Sequence, residues 1–224
     1  MIRFDQTSPI PWIAPFLLFI AFLGLRRVLP FGPEIEYPLR VAVVALSILA
    51  LSRPVLSLRP RRTLASLGFG LFIFALWIAP DQIAPGYRHH WLFSNSITGK
   101  PESTLAEALR HDPVFLAWRV AGTALVVPIV EELFWRGFLL RWLTRSNFSS
   151  LALGDWSRSA FWLTALLFAS EHGPYWEVGL LTGLGLNLWL RWTRSLADCI
   201  LAHAVANAAL AAYVVGAGHW EYWL

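Results

Sequence analysis

The 224-residue chain has a single cysteine, Cys199, which excludes an intrachain disulfide framework. Charge is scarce as well. Only 14% of residues are Asp, Glu, Lys or Arg, against about 25% in an ordinary soluble domain. Lysine occurs once, at Lys100, so the basic character is nearly all arginine. Internal repeats, low-complexity segments and a soluble domain are all missing. A net charge of +4 and a pI near 9.7 do not point to nucleic acid. The arginines cluster between apolar runs, where topology signals fall. No small-residue cleavage site follows the first apolar run, which therefore reads as an uncleaved span rather than a signal peptide.

What the chain does have is apolar length. It is 57% hydrophobic, with a mean hydropathy of +0.54 and 13 Trp. Several runs approach the roughly 20 residues that cross a bilayer, and Trp concentrates at membrane interfaces. The expectation is an all-α, polytopic transmembrane bundle of about seven to eight spans, in one integral membrane domain over residues 1–224. The spans read as 12–25, 38–51, 64–79, 114–143, 159–172, 175–190 and 195–215. Arg26, Arg27, Pro30 and Pro33 close the first, and Pro80-Asp81 the third. The loops holding Arg53 to Arg62, Arg141 to Arg158 and Arg191 to Arg194 fall on one side, cytoplasmic by the positive-inside rule. Arg26, Arg27 and Arg40 oppose that orientation. The long polar connection from Asp81 to Asp112 carries a capping-box pattern, Thr104 with Glu107, which predicts a short helix over 105–111. His89-His90 in that connection reads as exposed loop, because adjacent residues point apart on a helix and no carboxylate or cysteine cluster joins them. Gly179 and Gly183 have the spacing that lets membrane helices approach closely.

Within the fourth span lie two carboxylates and an arginine, Glu131, Glu132 and Arg136. An ionisable residue at bilayer depth costs about 2.5–3.5 kcal/mol or more and marks function by default. Glu132 and Arg136, four residues apart, share a helix face. Glu131 is turned about 100° away, which makes it the better candidate for a buried proton carrier. A buried ion pair that only fixes helix packing explains Glu132 and Arg136 but not Glu131. His172 ends the fifth span, one turn after Phe168. His203 and Asn207 lie one turn apart in the seventh, among alanines. His172 alone is as well read as hydrogen-bonded core, and His203 with Asn207 alone is better read as an interhelical hydrogen bond. Counted from the basic loops, Glu131 and His172 lie at similar depths, roughly 18–21 Å, and His203 at roughly 12 Å. Glu131 and His172 are thus expected to meet, and His203 to join them only if its helix tilts.

Glu131-Glu132-x-x-x-Arg136, Phe168-x-x-x-His172 and His203-x-x-x-Asn207, in that order, resemble the three motifs of the CAAX protease and bacteriocin-processing family of bacterial and other membrane proteins. The likeness covers a core of about 114–215. The Trp- and Arg-rich character is also similar to the exosortase-associated subgroup. The resemblance implies an endopeptidase in the bacterial inner membrane, acting on a peptide or membrane-anchored protein. It implies Glu131 as the base that activates water and His172 as its orienting or protonating partner. Glu132 and Arg136 would support the site, and His203 and Asn207 would stabilise the oxyanion. No cofactor is firmly implied. If zinc is used, Glu131, His172 and His203 are its ligands, but the His-Glu-x-x-His motif of soluble zinc proteases is missing, and the metal-independent route is preferred. Two other readings use the same residues: a non-catalytic membrane protein that binds a peptide in this pocket, and a proton-coupled transporter. The second expects repeats that the chain does not show.

Overall fold

The computed structural model describes residues 8–26 and 28–223. Arg27, assigned above to the end of the first span, lies outside the described residues. The described residues form eight helices: α1 (Ile10–Leu25), α2 (Pro33–Ser52), α3 (Thr63–Ile83), α4 (Glu107–Arg110), α5 (Pro113–Trp142), α6 (Arg158–Ser170), α7 (Trp176–Thr193) and α8 (Leu196–Ala217). Helices α2, α3, α5 and α8 are long and apolar enough to cross a membrane, and α1 is a shorter apolar helix. Only 17% of the apolar window of α3 is buried inside the protein. Leu71, Phe72, Leu125 and Leu188 are each more than half exposed. A helix bundle that keeps its large apolar side chains outside requires a lipid solvent to cover them.

The two ends of the bundle are built differently. At one end the arginine-rich loops are stitched to helix termini. Ser195 caps α8 by accepting from Asp198 N–H, as its position predicts. The Asp198 carboxylate reaches further than a capping box: it accepts from the backbone N–H groups of Arg61 and Arg62 at 2.7 and 2.8 Å and from the Ser66 hydroxyl. Arg194 pairs with Asp155 at the same end. Arg141 donates to the carbonyls of Gly137 and Leu151. At the other end, buried Arg88 pairs with Asp81 at 2.9 Å and Glu177 at 2.7 Å and donates to Pro174 O. The Tyr222 hydroxyl donates to Asp81.

Two local readings are corrected. Helix α3 does not stop at Pro80 but continues to Ile83. Proline removes one donor, and the last turn is held instead by Asp81 and by Gln82 bonded to Tyr213. Helix α4 spans four residues rather than seven, and Thr104 does not cap it: its N-cap, Ala106, has no side-chain hydrogen bond. Ser103 organises that turn, donating to Trp223 O and accepting from Leu105 N–H. Glu107 turns to Arg110 and His111. Pro128 follows a π-helical turn, Gly122–Val126, and begins the α-helical stretch Val127–Glu132. A second π segment, Leu133–Leu139, comes straight after Glu132. His89 and His90 are exposed, as expected, but Arg88 beside them is 3% exposed.

Candidate active site

The two glutamates sit on the six-residue α-helical stretch between the two π segments of α5. Wide π turns inside an α-helix often occur where side chains are re-aimed for function. Glu132 is fully buried and holds Arg136 at 3.0 Å, one turn on. Arg136 is fully buried too. Its Nε and Nη2 donate to Asn187 Oδ1 and to the Gly183 carbonyl, each at 3.3 Å, and its guanidinium lies 4.4 Å from the centre of the Phe168 ring. Asn187 is in turn held by donating to Phe161 O at 3.0 Å. A buried arginine with all-round partners of this kind is a fixed strut.

Glu132 Oε1 also accepts from His203 Nδ1 at 2.9 Å. A carboxylate already paired with Arg136 is an acceptor, so it places the imidazole proton on Nδ1 and turns Nε2 outward. That Nε2 faces Glu131 Oε2 at 3.9 Å. The separation exceeds a hydrogen bond but is within the span of one bridging water. Glu131 Oε2 is buried and has no hydrogen-bond partner among the described residues.

Glu131, His203, His172 and Asn207 line one cavity of about 190 Å³, together with Thr123 and Trp77. His172 closes one wall. Its Nδ1 lies 2.8 Å from Phe168 O. A carbonyl only accepts, so Nδ1 again carries the proton and Nε2 is free. Both histidines therefore have one nitrogen anchored in the protein. Asn207 donates to Thr123 O at 2.8 Å, inside the first π turn. One amide N–H remains for the cavity.

Depth counting ranked these contacts in the wrong order. His203, expected to lie too shallow, makes the direct contacts with Glu132 and Glu131, and His172 shares the cavity. The physical reason lies in α5. Seven residues between Glu132 and Leu140 are π-helical, and wider turns advance less per residue than the 1.5 Å assumed. Asn187, Thr123 and Trp77 went unrecognised. Asn187 had a usable signal, a fully buried amide in an apolar helix one turn after Gly183.

The glycine spacing on α7 has a specific use. A Cβ on Gly179 would lie 3.0 Å from the His172 ring, and one on Gly183 would lie 3.2 Å from Ala165 Cα. Gly179→Val is expected to push the imaginable path of His172 Nε2 out of line and to reduce any cavity-dependent activity about 10–100-fold, as a misplacement near 1 Å does. Activity measured beside an unfolding midpoint checks this: a parallel loss of fold would attribute the effect to packing alone.

Zinc held by Glu131, His172 and His203 does not fit this arrangement. Among the described residues no three His, Cys, Asp or Glu side chains converge as a metal site.

Residues 113–209 match a family model described as type II CAAX prenyl endopeptidase Rce1-like. The match contains all six candidate site residues, Glu131, Glu132, Arg136, His172, His203 and Asn207. No curated protein and no solved structure matches the chain.

Proposed function

We propose, from the similarity of residues 113–209 to type II CAAX prenyl endopeptidases of the Rce1-like family, that this membrane protein hydrolyses a peptide bond of a membrane-anchored protein with Glu131 as general base. The observation that carries the reading is the pairing of an unpartnered buried carboxylate oxygen on Glu131 with His203 Nε2 at 3.9 Å, at the wall of a cavity. A water held between them gives its proton to Glu131 as its oxygen attacks the scissile carbonyl. The tetrahedral oxyanion forms where the second N–H of Asn207 faces the cavity, while unprotonated His203 Nε2 accepts a hydrogen bond from the other proton of the attacking water and orients it rather than donating to the oxyanion. A preorganised donor at such a point stabilises the developing charge without reorganising. Glu132 and Arg136 do not touch the substrate in this scheme. They are positioning residues: Glu132 holds the ring of His203, and Arg136 holds Glu132. His172, anchored through Nδ1, presents Nε2 to the departing amine, which takes up the proton carried by Glu131. Every proton step uses groups of this chain.

The test is cleavage of single-span, membrane-anchored peptides by the purified protein in liposomes, run in ¹⁸O-labelled water. One ¹⁸O atom is expected in the new C-terminal carboxyl of the product. Activity is expected to survive a zinc chelator. Peptide binding without any cleavage would refute the proposal, and loss of activity on chelation, restored by zinc, would refute the metal-independent mechanism.

A further inference from the structure

A second cavity, of about 270 Å³, adjoins the first and shares Arg119 and Trp223 with it. It lies between the end of α1, the start of α2 and the start of α5, at the end of the bundle that carries Arg88 and Tyr222. Among the described residues its charged lining is three arginines, Arg26, Arg40 and Arg119, against one carboxylate, Glu36. Thr104 adds a hydroxyl.

Arg40 is the residue that needs explaining. It is 3% exposed, and its Nε and Nη1 are buried with no hydrogen-bond partner among the described residues. Glu36 is its ion-pair neighbour, at 3.4 Å, and Glu36 Oε1 is likewise without a hydrogen bond. The guanidinium otherwise lies against aromatic faces, 4.8 Å from the Tyr37 ring and 5.4 Å from the Phe19 ring. A buried guanidinium that keeps unsatisfied N–H groups is costly. It contrasts with Arg136, each of whose three nitrogens donates to a protein acceptor. Beside a cavity with excess positive charge, those N–H groups match the fork geometry that binds carboxylate or phosphate oxygens.

We infer that this cavity is an oxyanion-binding site, with Arg40 at its floor and Arg26 at its mouth, that takes a phosphate group. The cavity stands apart from the proteolytic chemistry proposed above, and its occupancy is measurable whether or not the protein cleaves anything. The phosphate comes either from a lipid headgroup or from solution, and the two sources separate experimentally.

The full-length protein in neutral detergent is titrated with inorganic phosphate and, separately, with phosphatidylglycerol against diacylglycerol as its headgroup-free control, and thermal unfolding is followed. Stabilisation of the wild type is expected. Arg26→Gln changes only an exposed side chain at the mouth and keeps the fold; it is expected to weaken the apparent affinity about tenfold or more, the loss of a charge-assisted contact. Arg40→Gln is expected to weaken it further. Arg145→Gln, exposed at the opposite end of the bundle, is expected to respond like the wild type. Response to inorganic phosphate assigns a soluble ligand, and response to phosphatidylglycerol alone assigns the headgroup; both support the site. No stabilisation by either probe, or equal stabilisation of the wild type and Arg26→Gln, overturns it.

Discussion

Glu131→Gln is expected to lower kcat/KM for peptide cleavage by about 10²–10⁴-fold while leaving substrate binding and the unfolding midpoint nearly unchanged. The range is what a positioned general base contributes. Glutamine keeps the shape and polarity of the side chain but cannot accept the proton of the attacking water. The substitution costs little structure, because Glu131 Oε2 has no hydrogen-bond partner to lose among the described residues, and the amide can still approach His203 Nε2. Single-turnover cleavage with saturating enzyme isolates the chemical step, and peptide binding measured in parallel isolates the ground state. A fall in cleavage without a fall in binding identifies an interaction used only in the transition state. Cleavage at the wild-type rate would place the base elsewhere and remove the central premise of the mechanism.

Arg136→Met should fail in another way. Methionine fills much of the same volume, yet Glu132 would be left buried, charged and facing only His203. Breaking a buried pair by removing one partner costs about 3–5 kcal/mol, a large share of the stability of an ordinary domain. Thermal unfolding in detergent is expected to show that loss together with loss of cleavage, since Glu132 no longer holds the His203 ring. The double variant Glu132→Gln with Arg136→Met removes both charges. It is expected to regain most of the stability but not the activity. The sum of the two single effects would then exceed the effect of the pair, the signature of direct coupling. Additive losses would show that Arg136 acts through Asn187 and Gly183 and not through Glu132.

These expectations were partly open to sequence reasoning. The helical architecture, the pairing of Glu132 with Arg136 and the capping role of Ser195 follow from period, spacing and cap chemistry, which act within a few residues. What escaped was set by contacts between distant segments. Asp198 reads locally as a capping acid, but it binds backbone more than 130 residues away. Arg88 reads as part of a polar loop, but two carboxylates from separate helix ends hold it inside the protein. His203 was misplaced because depth was counted with an ideal α-helix, and nothing in the residue pattern around Glu132 announces two π segments. Asn187 is the exception: a lone amide in an apolar helix is visible, and its partner, Arg136, was already in view.

The ion pair inside α5 also bears on how the protein is made. His203 follows Glu132 by 71 residues, which at roughly 5–20 residues per second is about 4–14 seconds of synthesis. During that interval α5 must enter the bilayer without the helix that will later cover its polar face. Glu132 and Arg136 are on the same helix, one turn apart, so each brings the other's counter-charge into the membrane from the start. The partner that turns Glu132 from a neutralised passenger into the holder of a histidine arrives only with α8. Synthesis thus delays assembly of the candidate site until the surrounding bundle exists to confine it.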